Sequence, residues 1–194
     1  MAHAAAALSG GFDDPAAQSS RAFRVILGAM AAPGTIGRAE GAAPPAPVSP
    51  AMGLVALTLC DGGTPCWLSP ALAASDFPDW LRFHCGAPVT DDRGQAAFAF
   101  GAPAELLPAD SWPMGDPEYP DRGATLVLEV PGFDGAEARL SGPGIKDAAA
   151  LPLGNAASDI AALRAFNAYP LGLDLILCAG DRFAALPRTT KLEG

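Results

Sequence analysis

The first third of the chain carries apolar side chains at the spacing of an α-helix. Asp14 can cap this helix, Pro15 fits its first position, and Pro33-Gly34 is expected to end it. The apolar positions that recur at this spacing are Phe23, Ile26, Leu27 and Met30. A second helix is predicted from Ser49-Pro50 to Leu59. It is apolar nearly all round, so we expect it to be buried.

Beyond residue 60, short apolar runs alternate with turn residues, which predicts strands and brief helices. Strands are predicted at residues 64–68, 96–100, 124–130 and 174–178, and helices at 77–85, 105–107 and 159–166. We expect residues 136–140 to pair with 124–130, and residues 182–186 to form a hairpin with 174–178 across Gly180-Asp181. The alternation predicts an α/β domain with a mixed sheet.

The proline-rich residues 41–50 predict an extended connector between the first two helices. A length of 194 residues suits one domain, or at most two small ones, and we expect a single domain over 1–194 with 1–12 as a flexible tail. Only 17% of the residues are charged, which suggests that a partner covers part of the surface, although an alanine-rich genome gives the same count.

The net charge of −9 opposes binding to nucleic acid and to anionic membrane surfaces. The N-terminus lacks the basic region of a signal peptide, and no apolar run is long enough to cross a bilayer, so we expect a soluble cytoplasmic protein. Four cysteines follow no metal-binding spacing and are expected to be free thiols in a reducing compartment. They are Cys60, Cys66, Cys85 and Cys178.

Several local features invite a catalytic interpretation and fit a structural one better. His84 and Cys85 are neighbours on a predicted helix, so they point about 100° apart and cannot act as base and nucleophile on one another. Gly142-Pro143-Gly144 follows a strand, but it lacks the lysine and hydroxyl of a phosphate-binding loop and is simplest as a tight turn.

The acidic and basic side chains give little more. The carboxylate pair Asp13/Asp14 is simplest as a helix cap and Asp91/Asp92 as a turn, whereas residues 115–122 form either a docking loop or an ordinary solvated loop. The chain has only two lysines, Lys146 in a loop and Lys191 near the C-terminus, and neither is placed to form a Schiff base with pyridoxal phosphate. We therefore predict no cofactor and no catalytic or metal site.

An ordered set of segments resembles the PhnH family, the H subunit of bacterial carbon–phosphorus lyase. The matching segments are GFDDP (11–15), RAFR (21–24), MAAPG (30–34), TPCWL (64–68), WLRFHCG (80–86), EYPDRGAT (118–125), LSGPGI (140–145), PLGLDLIL (170–177) and LPRTT (186–190). They run from about Gly11 to Thr190, nearly the whole chain. Gly123 stands where the resemblance leads us to expect serine.

The resemblance implies a three-layer α/β/α sandwich around a mixed sheet, similar to pyridoxal-phosphate-dependent transferases but without the cofactor site. It implies a homodimer that joins the G, I and J subunits of the carbon–phosphorus lyase core complex in phosphonate catabolism. That machinery transfers an alkylphosphonate to C1 of the ribose of MgATP and releases adenine, and the J subunit then breaks the C–P bond.

Three functions remain open from the sequence: a structural docking subunit, a subunit that binds nucleotide or phosphonate, and a relict pyridoxal-fold enzyme acting alone. If the subunit binds nucleotide or phosphonate, Arg82, Arg122 and Arg188 would contact the phosphate. The alternative role for each arginine is a structural salt bridge or a carbonyl clamp. Two arginines in one pocket would favour ligand binding, and scattered ones would favour docking. The candidate ligand or interface residues are Arg82, His84, Tyr119, Asp121, Arg122, Arg188, Thr189 and Thr190.

Overall fold

The computed structural model describes residues 8–193, so the first seven residues of the expected N-terminal tail lie outside it. The helices are α1 (Pro15–Ala31), α2 (Pro50–Leu59), α3 (Pro70–Ala73), α4 (Phe77–Cys85) and α5 (Ala157–Leu163). Short 3₁₀ turns lie at Arg93–Gln95, Pro103–Leu106, Ala109–Ser111, Pro120–Arg122 and Gly154–Ala156. The strands are β1 (Ile36–Arg38), β2 (Cys66–Leu68), β3 (Phe98–Gly101), β4 (Thr125–Glu129), β5 (Glu137–Ser141), β6 (Ala149–Pro152), β7 (Asp174–Ala179), β8 (Arg182–Leu186) and β9 (Lys191–Glu193).

Six strands form a mixed sheet in the order β1-β8-β7-β4-β3-β2. The four strands β2, β3, β4 and β7 are parallel, and β8 returns antiparallel to β7 as the expected hairpin. The remaining three strands form a separate antiparallel sheet in the order β6-β5-β9. The prediction of a mixed sheet in an α/β fold is therefore confirmed.

Alternate residues of the central strands enter two apolar clusters on opposite faces of the sheet. On β4, Leu126 and Leu128 join one cluster, whereas Val127 joins the other. This alternation follows from the two-residue repeat of an extended chain. Helices α1, α2 and α4 cover the Val127 face, and α5, the 3₁₀ turns and the small sheet cover the opposite face, so that second layer is only partly helical.

The capping residues expected at the first two helices are confirmed. The Asp14 carboxylate accepts a hydrogen bond from the Ala17 amide at 3.2 Å, and the Ser49 hydroxyl accepts one from the Met52 amide at 3.2 Å. Helix α2 is buried over its first six residues after Pro50, as its apolar composition predicts. Of the four apolar positions that predicted α1, Ile26 is buried and Met30 half-buried, whereas Phe23 and Leu27 are 48% and 54% exposed.

Two predictions about the elements are wrong. Residues 136–140 do not pair with β4, because β3 and β7 already occupy both edges of that strand. They form β5, which pairs with β6 and β9 in the small sheet. The last predicted helix is also too long: α5 ends at Leu163, and Phe166, expected on its apolar face, is 56% exposed.

Candidate functional site

Most of the candidate residues gather at the amino end of the parallel strands. The 3₁₀ turn Pro120–Arg122 precedes β4, and Arg188 follows β8 at the same edge of the sheet. Arg188 joins these segments, because its guanidinium pairs with Asp174 at the start of β7 and donates to the carbonyl of Pro120. The side chains of Arg188 and Asp174 are only 14% and 15% exposed. This largely buried arginine therefore links the start of β7 to the turn before β4, and we call it the structural tie.

Arg122, Tyr119 and Asp121 lie on the surface beside this tie. The guanidinium of Arg122 stacks on the ring of Tyr119, with its central carbon 3.8 Å from the ring centroid. The Asp116 carboxylate accepts hydrogen bonds from the amides of Glu118 and Tyr119, which fixes the turn that presents the tyrosine. Asp121 is exposed. The loop at residues 115–122 is thus ordered by its own contacts.

Gly123, the departure from the expected serine, lies in the tightest part of this edge. A Cβ added there would lie 2.6 Å from the carbonyl oxygen of Gly172 and 2.9 Å from Nη1 of Arg188. Both neighbours are fixed by hydrogen bonds or by the ion pair with Asp174. The chain therefore leaves no room for a side chain at this position.

A buried arginine that the sequence analysis missed holds the segment that carries Thr189 and Thr190. Arg164, 9% exposed, donates to the carbonyls of Leu186 at 3.0 Å and Pro187 at 2.9 Å, and also to those of Arg188 and Thr190. Burial lowers the pKa of Arg164 to about 10, although nearby Asp174 opposes this.

Thr190, at the end of the segment that Arg164 holds, has a structural role as well. It is buried, its amide donates to Pro187, and its Oγ1 has no hydrogen-bond partner among residues 8–193, while Thr189 is half-buried. The segment 186–190, one of the matching motifs, thus forms a carbonyl clamp together with Arg164. The sequence shows an arginine just after a short predicted helix, but it cannot show which backbone carbonyls that arginine binds.

The other two candidates, Arg82 and His84, lie apart from this edge on α4. Arg82 pairs with Asp79 at 2.7 Å in an exposed i,i+3 ion pair. The imidazole of His84 packs between Trp80 and Phe83, and its Nε2 is buried without a partner among the described residues. Gly11 packs directly on this ring, because a Cβ there would lie 2.4 Å from Nδ1. His84 also lines an open cleft of about 580 Å³ beside α1.

The four cysteines are free thiols in the structure. The Sγ atoms of Cys60 and Cys66 lie 3.7 Å apart, and the hydrogen bond that the two thiols share, followed by burial, raises the pKa of Cys60. Burial likewise raises the pKa of Cys85 to about 12, and its thiol donates to the carbonyl of Ala56. A nucleophilic thiol needs the opposite shift, so Cys85 is unsuited to catalysis beside His84.

The expected turn at Gly142-Pro143-Gly144 follows β5 and packs against the end of α1. A Cβ at Gly144 would lie 2.1 Å from the carbonyl oxygen of Ala31, and the backbone there has φ +82°. This close approach explains the glycine without a phosphate. Within residues 8–193, no group of three or more His, Cys, Asp or Glu side chains is arranged to hold a metal ion.

Two concave features escaped the sequence analysis. A groove of about 550 Å³ between α1 and β1 is lined by Arg21, Arg38, Gln18 and Glu40, among others. At the carboxyl ends of the parallel strands, a cavity of about 160 Å³ contacts Ser69 and Glu129. Both features combine residues from distant segments, so no local sequence motif predicts them.

No helix within the described part of the chain is long and apolar enough to cross a bilayer.

Comparison with known proteins places these features in a family. Residues 10–193 match the family described as bacterial phosphonate metabolism protein (PhnH). The chain is 46% identical over 192 residues to alpha-D-ribose 1-methylphosphonate 5-triphosphate synthase subunit PhnH of Rhizobium meliloti (strain 1021), covering 95% of each chain. It is 34% identical over 182 residues to HtxG of Stutzerimonas stutzeri, a protein named for a C-P lyase subunit, covering 92% of this chain and 87% of that one. The chain therefore belongs to the PhnH family of bacterial phosphonate metabolism proteins.

Proposed function

We propose that this protein is a non-catalytic docking subunit of the carbon–phosphorus lyase core complex in the bacterial cytoplasm. In that role it supports the transfer of alkylphosphonate to C1 of the ribose of MgATP with release of adenine. The names of its two relatives support this assignment, since one is a subunit of a ribose 1-methylphosphonate 5-triphosphate synthase and the other is named for a C-P lyase subunit. Its partners would be the G, I and J subunits.

The observation that carries the docking role is an apolar helix surface. Phe23 and Leu27, one helical turn apart on α1, are 48% and 54% exposed, and we call them the outer α1 face. Neighbouring exposed apolar side chains on one surface are typical of protein contact sites. The same helix buries Ala22, Ile26 and Ala29 against the sheet, while Phe23 and Leu27 point away from that buried side.

The placement of the three candidate arginines also supports docking over ligand binding. Arg82 is paired with Asp79 on α4, Arg188 is committed to Asp174 and the Pro120 carbonyl, and Arg122 is stacked on Tyr119. They serve as an ion pair, a structural tie and a stacking cation. Phosphate recognition needs guanidinium groups that converge with free donors.

We further propose that the mixed sheet is related to that of pyridoxal-phosphate-dependent transferases and lacks their cofactor site. Lys146 and Lys191 are both exposed, and Lys191 belongs to β9 of the small sheet. A Schiff-base lysine works from a shielded pocket next to the sheet. This placement speaks against a relict pyridoxal-fold enzyme.

A second candidate function is binding of nucleotide or phosphonate, and the groove lined by Arg21 and Arg38 favours it. Arg38 lies 3.6 Å from Asp181, with both side chains more than half exposed, so its guanidinium is weakly held. Glu40 lines the same groove and opposes an anion. Titration with methylphosphonate and with ATP, comparing R21M with R122M, would detect this activity as a binding loss confined to R21M.

Co-purification tests the docking proposal. Tagged protein from phosphate-starved cells should retain the G, I and J subunits, and F23S/L27S should lose them because it removes apolar contact from the outer α1 face. F166S is the matched control, since Phe166 is exposed to a similar degree on the opposite face of the sheet. Normal retention by F23S/L27S, or equal loss by F166S, would contradict the proposed surface.

Alone, the protein should form a homodimer, because a surface short of charge and rich in Ala, Pro and Leu favours contact with a second copy. If the J subunit uses the same surface, adding it should split the homodimer. Light scattering during such a titration would show the change. A chain that stays monomeric and does not bind any of the three subunits would overturn the functional proposal.

A further inference from the structure

Two adjoining concavities lie where the parallel strands end. The cavity of about 160 Å³ is lined by Met52, Ser69, Leu72, Gly101 and Glu129, among others. It adjoins an open groove of about 570 Å³, lined by Val130, Pro131 and Asp159, and Ala102 and Glu129 belong to both. We call the two together the carboxyl-edge pocket. Ligands of open α/β sheets typically bind outside the carboxyl ends of parallel strands.

The inner end of this pocket holds two buried acceptors that lack partners. The hydroxyl of Ser69, a residue only 1% exposed, has no hydrogen-bond partner among residues 8–193. Oε2 of Glu129 is buried and equally unpaired, and hydrogen bonding from Ser49, at the start of α2, only partly offsets the burial that raises the pKa of this carboxyl group. Buried polar atoms in folded proteins nearly always have partners, so these two indicate a missing donor.

The charge of the walls shows which donor fits. The pocket contains the carboxyl groups of Glu105, Glu129 and Asp159, and no Lys, Arg or His is among the described residues that line it. The Glu105 carboxylate accepts a hydrogen bond from the amide of Ala102 at 2.8 Å. Glu129 is therefore the carboxylate at the inner end that still has an oxygen without a donor. An anion would be repelled here. The remaining walls are mostly alanine, proline, valine, leucine and methionine side chains.

We propose that the carboxyl-edge pocket binds a primary alkylammonium group, with the ammonium at Glu129 and Ser69 and the alkyl chain along Val130 and Pro131. An ammonium is compact and carries three donors, which suits a small cavity with two unpaired acceptors. A planar guanidinium with five donors would leave several of them unsatisfied. Burial raises the pKa of Glu129, and a bound cation would lower it again because it favours the charged carboxylate.

This inference goes beyond the docking role and does not depend on it. The alkylammonium comes either from a free aliphatic amine or from a lysine side chain of a partner protein. The two sources share one chemistry and differ in bulk. A free amine can enter the small cavity alone, whereas a lysine must lead its backbone along the open groove.

The test is an NMR titration of the whole chain at neutral pH with n-butylammonium chloride, with 1-butanol as the neutral probe of similar shape. We expect saturable shifts of the amides of Ala102 and Val130 with the amine, and at least about tenfold weaker binding of the alcohol, because the alcohol lacks the charge-assisted bond. E129Q should weaken amine binding about tenfold or more, and S69A less, for the same reason. E137Q, at an exposed glutamate of β5, should leave it unchanged.

A second titration uses N-acetyl-lysine-methylamide to distinguish the sources. Binding of both amines would indicate a partner's lysine, and binding of butylammonium alone would indicate a free amine; either result supports the site. The proposal is overturned if neither amine shifts these amides, as an ordered water in the cavity would explain, or if 1-butanol binds as tightly. Equal weakening by E137Q and E129Q would also overturn it, because the effect would then be general screening. Loss of partners in F23S/L27S leaves this titration unaffected, so the two proposals fail separately.

Discussion

Replacing Arg164 with methionine tests whether the carbonyl clamp that Arg164 forms with segment 186–190 stabilises the fold. The substitution keeps the length of the apolar stem and removes the donors to Leu186 at 3.0 Å and Pro187 at 2.9 Å, together with the contacts to Arg188 and Thr190. Each hydrogen bond from a charged group contributes about 1.5–3 kcal/mol, and a buried acceptor left unpaired costs about 1–3 kcal/mol. The desolvation of Arg164, visible in its pKa of about 10, offsets part of that gain.

We therefore expect R164M to lower the free energy of unfolding by about 2–4 kcal/mol, out of a total that is usually about 5–15 kcal/mol. For a chain of this size, that loss lowers Tm by about 4–16 °C. The assay is urea and thermal unfolding followed by circular dichroism. R82M is the matched control, because the Arg82–Asp79 pair is exposed and such pairs contribute less than about 1 kcal/mol. If R164M unfolds at the same urea concentration as R82M, the clamp does not stabilise this edge.

Three further predictions follow from buried and exposed groups. Burial raises the pKa of Glu129 above its ordinary value of 4.5, against the opposing hydrogen bonds from Ser49, so the folded state binds this proton more tightly than the unfolded state. The contribution of Glu129 to stability is therefore largest at and below about pH 4.5 and is lost as pH rises through the folded pKa, and urea unfolding across pH should show less of this loss in E129Q. The four cysteines should all alkylate in denaturant without reductant, with an intact mass four adducts higher, and in the native state Cys85 should react slowly because its pKa is raised to about 12; any pair protected as a disulfide would contradict this. The purified protein should show no absorption band of an internal aldimine, because Lys146 and Lys191 are both exposed, and a band lost in K146A or on borohydride treatment would overturn that prediction.

The sequence predicted elements well where local chemistry decides them. Helix α4 runs from Phe77 to Cys85 and ends at Gly86 with φ +68°, as the pattern and the glycine indicated. The hairpin of β7 and β8 turns at Gly180, which has φ +60°. In both cases a periodic apolar run is bounded by a residue whose backbone preference marks the end. Such signals lie within a few residues of the feature that they predict.

Pairing and side-chain roles depend on distant segments, and there the sequence is less informative. The partner of β5 could not be predicted, because β4 looks like an ordinary strand until β3 and β7 are placed on both of its edges. The sequence left Arg188 open as a phosphate ligand or as a structural salt bridge or carbonyl clamp, since nothing near it in the chain shows that Asp174 pairs with its guanidinium. The clamp at Arg164 was missed for the same reason.

The charged groups at the two ends of the parallel strands differ in how they are paired. At the amino end, the guanidinium groups of Arg164 and Arg188 bind backbone carbonyls and Asp174, and these bonds hold segments 118–125 and 186–190 together. At the carboxyl end, the Ser69 hydroxyl and Oε2 of Glu129 have no partners among the described residues. A group that is fully paired within the chain has little capacity left for a ligand, whereas a buried unpaired acceptor costs free energy until a donor arrives. Ligand chemistry in this chain should therefore be sought at Glu129, away from the motif residues that the sequence emphasises.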